Sequence, residues 1–194
     1  MTDRQQNGCP DASPWNGSSP LLHVVLHEPE IPNNTGNIGR TCVALGSALH
    51  LIHPLGFDLS EKACRRAGLD YWPRLSVHEH ASWPQYKQTS IKEGDSPCAP
   101  KRWCLTTKAT CSVFDADIDI GDHLVFGKES KGLPRSILDE DRERCVCLPM
   151  VEGERSLNLS TAVAAVMYGA VHGLASRGLV RISAEGRLGP VPRT

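Results

Sequence analysis

The sequence predicts an α/β fold built on a mostly parallel sheet, and three observations lead to this class. Short apolar runs typical of buried strands recur along the chain. Segments with helical start and stop signals separate these runs, as expected of parallel strands joined by crossover helices. The 194 residues, 40% of them hydrophobic and 22% charged, amount to about one globular domain on a prior of roughly 100–200 residues per domain.

The strands are predicted from apolar runs and from alternation. Leu21 to His27 is a nearly continuous apolar run, which is typical of a strand buried on both faces. Residues 75–79 alternate more weakly, and Cys145 and Cys147 share one face of a short strand. In chain order, the predicted strands are 21–27, 48–53, 75–79, 103–107, 123–126 and 145–148.

The helices are predicted from capping residues, prolines and glycines. Asn34 or Thr35 is the expected N-cap of the first helix. Pro134 suits the start of a short helix, and Gly178 ends the longest one. The predicted helices run from that first cap to about Leu45, over a short stretch after Ser60, near 84–92, from Pro134, and from about Asn158 to Ser176.

The two ends of the chain differ in composition from its centre. Residues 1–20 are rich in Pro, Gly, Ser, Asn and Asp, which predicts a flexible arm outside the fold. Residues 179–194 contain many Gly, Pro and Arg residues, and we expect them to form a disordered tail. A single domain is therefore predicted over 21–178.

Composition also argues against several classes of protein. The formal net charge of −1 gives no overall signature of a nucleic-acid binder, so any RNA contact must come from local basic patches. Two such patches are Lys62, Arg65 and Arg66 on one predicted helix, and Lys128, Lys131 and Arg135 around a glycine-rich turn. No apolar run approaches the roughly 20 residues of a transmembrane helix, so no membrane is expected.

Cysteines and histidines are numerous but lack metal-site spacing. Eight cysteines contain no C-x-x-C pair, and no secretory signal is visible, so we expect reduced thiols and a cytoplasmic protein. The pairs His50/His53 and His78/His80 have no third ligand nearby in the sequence. We therefore expect solvated or hydrogen-bonded histidines and no metal.

Three segments carry more polar and small residues than their structural roles require. Residues 33–40 follow the first strand and include Asn34, Asn37 and Arg40, which suit an RNA phosphate or sugar at a helix start, or a plain helix cap with a surface arginine. Residues 126–134 form a glycine turn, in which Gly127 admits a ligand close to the backbone. Residues 148–160 offer several cap donors before one helix, which is redundant capping or a binding loop.

The order of these segments resembles a known family. The matching segments are 28–37, 66–71, 105–108, 126–134, 148–151 and 156–160. Together they resemble the tRNA (cytidine/uridine-34-2′-O)-methyltransferase branch of the SPOUT superfamily, over roughly residues 21–176. Departures are the extra residues 1–20, Gly39 in place of a bulky apolar residue, Lys128 in place of a proline, a longer stretch at 90–101 and the tail.

The resemblance implies a fold, a cofactor and an activity. The fold is an α/β sheet with a C-terminal trefoil knot, and the protein is a homodimer. S-adenosyl-L-methionine is the cofactor, and the ribose of nucleotide 34 of tRNA is methylated at its 2′-oxygen. Carried over by motif, the cofactor contacts are Leu105, Gly127, Leu148, Met150, Ser156 and Leu157, the catalytic residue is Arg40, and the substrate contacts are Asn34, Asn37 and Asn158.

Two alternatives remain open at this level. One is a SPOUT 2′-O-methyltransferase that acts on rRNA or another tRNA position, although that branch typically carries an extra RNA-binding domain, for which the 20-residue arm has no room. The other is a non-catalytic RNA-binding module of the same fold, against which Arg40, Gly127 and Ser156 argue. The apolar helix over 158–176, with small residues at Ala165 and Gly169, separately predicts a second buried face and hence a dimer.

Overall fold

The computed structural model describes residues 14–58, 69–90 and 99–192. These residues form seven parallel strands of one sheet, four α-helices and a small C-terminal hairpin. The sheet strands are β1 (His23–His27), β2 (Ala48–Ile52), β3 (Val77–His80), β4 (Arg102–Leu105), β5 (Cys111–Ser112), β6 (His123–Phe126) and β7 (Cys145–Cys147). The helices are α1 (Pro32–Ala44), α2 (Trp83–Ser90), α3 (Arg135–Glu140) and α4 (Leu159–Ser176), and the hairpin pairs β8 (Arg181–Ile182) with β9 (Leu188–Gly189).

The sheet order is β3-β2-β1-β6-β4-β7-β5, and every pair of neighbouring strands is parallel. Each face of the sheet is covered by helices. Val24 and Leu26 point into a core with α1 and α4, whereas Val25 points into a second core with α2 and α3. Because both faces are buried, the central strands are apolar at nearly every position. The α/β class with a mostly parallel sheet is confirmed.

The first helix begins earlier than its sequence predicts. It starts at Pro32, the preceding Ile31 is its N-cap, and no side chain caps it. The prediction that Asn34 or Thr35 is the cap is wrong, because both lie inside the helix and are buried. Proline fixes the backbone angle that the first helical turn needs, so the helix can begin without a capping side chain. The amide of Asn34 is thereby free for tertiary contacts.

Helix α4 has the predicted cap and stop. Asn158 Oδ1 accepts hydrogen bonds from the backbone N–H groups of Ser160 at 2.9 Å and Thr161 at 3.4 Å. At the other end the Gly178 N–H bonds to the Ala175 carbonyl, and the Leu179 N–H bonds to the Leu174 carbonyl. Gly178 has a φ of +73°, which is the left-handed conformation of this helix ending.

By length and composition alone, α4 is apolar enough to cross a membrane. The expectation that no segment approaches that length is therefore wrong for this helix. A core helix has the same properties, and α4 buries one face against the sheet and α1. Its buried residues are Val163, Val166, Met167, Ala170, Val171 and Leu174.

The described parts of both ends contact the domain, where the sequence predicted a flexible arm over 1–20 and a disordered tail over 179–194. The Trp15 N–H donates to the Leu179 carbonyl at 2.9 Å, and the Trp15 ring packs beside Gly46. Leu179 and Val180 are buried, and the β8–β9 hairpin follows them. The composition of both ends predicted disorder because their few apolar residues, among many small and polar ones, change the average hydrophobicity little. The predicted helix after Ser60 lies outside the described residues.

A histidine cluster fills one end of the face that α2 covers. His23 Nδ1 lies 2.9 Å from His50 Nε2, and His50 Nδ1 lies 2.9 Å from His80 Nε2. His123 stacks on His23 with ring centroids 4.3 Å apart, and its Nδ1 lies 2.8 Å from the Tyr86 hydroxyl. Burial lowers the pKa of His23 to about 4, of His123 to about 3 and of His50 to about 2, and neighbouring histidines add to each shift.

Mild acid should destabilise the protein through this cluster. The unfolded chain binds protons with histidine pKa values near 6.5, but the folded cluster does not, so the free energy of unfolding falls as the pH drops from about 6.5 towards 4. The loss approaches about 1.4 kcal/mol per pH unit for each histidine that stays neutral when folded. Urea denaturation at a series of pH values measures it. His172→Asn, a change of an exposed histidine on α4, should keep the same slope. Equal stability at pH 7 and pH 5 would contradict the prediction.

Candidate functional site

A cavity of about 560 Å³ opens where β4, β6 and β7 end. The carboxyl ends of parallel strands are where α/β proteins bind ligands, and the volume lies within the usual range for small-molecule sites, about 300–1,000 Å³. Eight of the residues predicted from the sequence line it, namely Asn34, Leu105, Gly127, Leu148, Met150, Ser156, Leu157 and Asn158. The fold thus brings four separate segments to one place, while the role of each residue in binding stays a prediction.

Gly127 directly follows β6 and starts a turn that folds back tightly. The Gly132 N–H donates to the Lys128 carbonyl at 2.8 Å, and Gly132 has a φ of +68°. A Cβ at position 127 would lie far inside van der Waals contact of the Gly132 carbonyl carbon and the Leu133 nitrogen. Only glycine fits here, and the reason is the backbone of the turn itself.

A reciprocal pair of carboxylates joins this turn to the loop between β1 and α1. Glu129 accepts hydrogen bonds from the backbone N–H groups of Glu30 at 2.9 Å and Ile31 at 3.3 Å, and from the Asn34 amide at 2.9 Å. In return, the Glu30 carboxylate accepts from the Ser130 N–H at 2.9 Å and hydroxyl at 2.8 Å. The pKa of Glu30 is lowered, chiefly by the Ser130 hydroxyl.

Asn34 extends the same network to the third segment. Its Oδ1 accepts from the Asn158 amide at 3.0 Å, while Asn158 Oδ1 caps α4. One buried asparagine therefore donates to Glu129 and accepts from Asn158. Sequence reasoning missed Glu129. The only sequence feature that marked Glu129 was the position of a carboxylate within a turn of small and basic residues. The same pattern is common on solvated surfaces.

The basic patch predicted around the glycine turn is partly neutralised. Lys128 Nζ lies 2.6 Å from Glu28 Oε2, and this contact lowers the pKa of Glu28 and raises that of Lys128. Arg135 lies 3.5 Å from Asp139, with both side chains mostly exposed. The charge of Lys128 is thus already paired, and this ion pair holds the turn against the end of β1. The basic residues predicted at 62–66 lie outside the described residues.

Two predicted site residues do not line the cavity of their own chain. Arg40 projects from α1, stacks on the Tyr71 ring at 4.3 Å from the centroid and lies 3.3 Å from Asp70 Oδ1. Its side chain is 59% exposed, so these contacts leave much of it open to a partner. Asn37 is also exposed. Within one chain the described residues therefore form a pocket without the predicted catalytic arginine.

Comparison with known proteins places this site in a family context. Residues 21–168 match the model of the SpoU rRNA Methylase family. A tRNA (cytidine(34)-2′-O)-methyltransferase of Saccharophagus degradans is 46% identical over 150 residues, which cover 76% of this chain and 92% of that protein. The protein of the same name in Escherichia coli (strain K12) is 43% identical over 161 residues, covering 82% of this chain and 98% of that one.

Solved structures agree with these sequence matches. A structure described as giving insights into the 2-OH methylation of C/U34 on tRNA has a TM-score of 0.71 and 40% identity, covering 80% of this chain and 97% of that chain. The SpoU methyltransferase AviRb from Streptomyces viridochromogenes, solved with AdoMet, has a TM-score of 0.70 at 23% identity, covering 91% and 64%. At that identity the likeness is one of fold alone.

Substituting Gly127 should damage the cavity. We expect Gly127→Val to weaken binding of S-adenosyl-L-methionine, the cofactor that the resemblance implies, more than tenfold, or by about 1.4 kcal/mol. The reason is that the new side chain forces the turn away from Gly132 and Leu133. Calorimetric titration measures the affinity. Gly189→Ala is the matched control, because a Cβ there meets nothing within 4 Å. Wild-type affinity in a folded Gly127→Val protein would remove this turn from the site.

Proposed function

The chain belongs to the SpoU rRNA methylase family, and on that premise we propose that it methylates the ribose 2′-oxygen of nucleotide 34 of tRNA, a cytidine or modified uridine. The methyl donor is S-adenosyl-L-methionine. The observation that carries the proposal is the single cavity in which the glycine turn, the β7 loop and the start of α4 meet. The position of methylation follows from relatives at 43–46% identity that are named for cytidine 34.

The cavity has the features that this cofactor requires. Leu105 and Leu148 offer apolar surfaces at the ends of β4 and β7 for the adenine, and backbone groups at the same strand ends suit its polar edge. Gly127, Met150, Ser156 and Leu157 complete the proposed contacts. When bound, the cofactor supplies an electrophilic methyl group on a sulfonium.

Arg40 is the proposed catalytic residue, and its chemistry limits its role. The 2′-hydroxyl must lose its proton, but a guanidinium stays protonated, with a pKa above about 12, and cannot take that proton. Arg40 instead holds a phosphate and donates hydrogen bonds to the negative charge that develops on the 2′-oxygen. The adjacent RNA phosphate accepts the proton. Asn34, Asn37 and Asn158 are the proposed contacts to the substrate.

A homodimer supplies Arg40 to the cavity. Arg40 does not line the pocket of its own chain, so a second copy presents it there. An apolar surface suits such an interface. Tyr168 on α4 and Phe114 beside it are each 57% exposed, and Phe114 packs against the bare backbone at Gly169. The buried stripe of α4 already faces its own core, and these side chains provide the second face.

The proposal includes a C-terminal trefoil knot and a cytoplasmic location. The sheet order supports the knot, since β7 lies between β4 and β5, two strands that precede it in the chain. A reducing compartment suits the free cysteines among the described residues, which are Cys42, Cys104, Cys111, Cys145 and Cys147.

Methyl transfer to tRNA tests the proposed function directly. The purified protein should transfer a labelled methyl group from S-adenosyl-L-methionine to bulk tRNA lacking the modification. Digestion and mass mapping should place the group on the ribose of nucleotide 34. Ribosomal RNA and tRNA already methylated at that position serve as controls and should take up no label. A methyl group found at another tRNA position or in rRNA would contradict the proposal.

Arg40 should affect turnover and leave cofactor binding nearly unchanged. We expect Arg40→Ala to lower the single-turnover rate by about 10²–10³, the range for loss of one donor to a developing oxyanion. Arg40→Lys should also be poor, because lysine keeps the charge but lacks the two-pronged donor. Arg181→Ala, which changes an exposed arginine of the hairpin, is the control. Near-normal turnover of Arg40→Ala would exclude the catalytic role, and loss of cofactor binding would instead make Arg40 a cofactor-binding residue.

The protein should sediment as a dimer at micromolar concentration. Tyr168→Glu places a charge on the proposed apolar interface and should shift the protein towards monomer. Analytical ultracentrifugation measures both species, and Gln88→Glu, which adds a charge at an exposed position of α2, is the control. A stable wild-type monomer at micromolar concentration would contradict the dimer.

A further inference from the structure

We propose that His23, His50 and His123 form a binding site for one divalent transition-metal cation, of which Zn²⁺ is the representative. The three residues lie on the adjacent strands β1, β2 and β6. The site joins these strands beneath α2, and it does not depend on the proposed methyltransferase activity.

The ligand atoms converge. One imidazole nitrogen from each histidine lies within 4.8 Å of the other two. His23 Nδ1 and His50 Nε2 are 2.9 Å apart, close to the roughly 3.3 Å that separates two nitrogens of a tetrahedral zinc site with Zn–N bonds of about 2.0–2.1 Å. The His123 ring lies parallel to that of His23 with centroids 4.3 Å apart.

Outer hydrogen bonds already hold two of the ligands. Metal-bound histidines nearly always use their other ring nitrogen to bond a second group, which fixes the tautomer. His50 Nδ1 lies 2.9 Å from His80 Nε2, and His123 Nδ1 lies 2.8 Å from the Tyr86 hydroxyl. In both cases the remaining Nε2 is the metal-facing atom.

Thr89 sets the direction of the hydrogen bonds that run through His80 to His50. Its hydroxyl donates to the Gln85 carbonyl at 2.9 Å, so it accepts from His80 Nδ1 at 3.3 Å. His80 Nε2 is then an acceptor and must receive its hydrogen from His50 Nδ1. His50 Nε2 is therefore an acceptor, and in the cation-free chain it takes a hydrogen bond from His23 Nδ1 at 2.9 Å. A metal would bind the same lone pair after the His23 proton moves from Nδ1 to Nε2.

The donor set consists of three imidazole nitrogens, which favours a transition-metal cation. The nearby positive charge of Arg102 is paired with Asp141 at 2.7 Å. Imidazole nitrogens select zinc, copper, nickel and cobalt over magnesium or calcium. His23 is only partly buried, which gives an ion access.

The site is separate from the cavity at the other end of the sheet. His123 opens β6, and Gly127 follows the end of that strand. Four residues of extended chain span about 13 Å at roughly 3.3 Å per residue. The cation is therefore structural, linking three central strands, and its loss is read from binding and stability without reference to methyl transfer.

Cobalt and zinc titrations of the chelator-treated protein test the site. We expect one Co²⁺ per chain, with visible absorption bands typical of nitrogen ligands in a four- or five-coordinate site, and displacement by one equivalent of Zn²⁺. Saturating Zn²⁺ should raise the melting temperature of the wild type. His23→Asn should abolish the absorption and the rise in melting temperature. Tyr86→Phe, which keeps all three ligands, should weaken the affinity by about 10–100-fold.

Control variants separate this site from adventitious binding. His172→Asn, on the exposed side of α4, should bind Co²⁺ like the wild type. His78→Asn should also retain binding, because His78 stacks on His50 at 4.7 Å but is not one of the three ligands. Circular dichroism confirms that each variant is folded. The proposal is overturned if the folded wild type binds no cation, or if folded His23→Asn binds Co²⁺ as tightly as the wild type.

Discussion

The cavity depends on the two hydrogen bonds of one buried side chain, Asn34. Its amide nitrogen donates to Glu129 and its oxygen accepts from Asn158, so the loop after β1, the glycine turn after β6 and the start of α4 are positioned together. A carboxylate at position 34 could not donate, and an apolar side chain could do neither. Moving any one of these segments would leave a buried polar group without its partner, which costs about 1–3 kcal/mol. Each of the three segments therefore holds the other two in place.

The parallel sheet separates two kinds of chemistry. At the carboxyl ends of the strands, loops of small and polar residues surround an open cavity. Towards the amino ends of β1 and β6, histidines pack into a buried cluster beneath α2. The strands between them are apolar on both faces. The distance between the two ends weakens the effect of a charge at one end on groups at the other. Residues at either end can therefore be changed with little effect on the opposite end.

The parts of the fold that could be predicted were those with a local signal. Fully buried parallel strands are continuous apolar runs, so β1, β2 and β6 were located within a residue or two, and Asn158 and Gly178 marked the ends of α4. The two residues of β5 are too few for any pattern. Eight of ten predicted site residues line one cavity because motif order encodes which strand ends meet.

What the sequence could not indicate arises from pairing between distant segments. Asn34 looked like a helix cap because its real partners, Glu129 and Asn158, are about a hundred residues away. Along the chain, the closely spaced histidines occur only in pairs, with no third metal ligand nearby in the sequence. The fold supplies it, since His23, His50 and His123 become neighbours only once β2, β1 and β6 lie side by side.

The hydrogen bond between Trp15 and Leu179 brings the two ends of the domain within 2.9 Å of each other. Chain ends so close can be joined by a short linker, and new ends can be opened in a surface loop, which makes this domain a candidate for circular permutation. In a permuted chain a different segment would come last off the ribosome. Such a molecule would separate the geometry of the finished fold from the order in which its segments assemble.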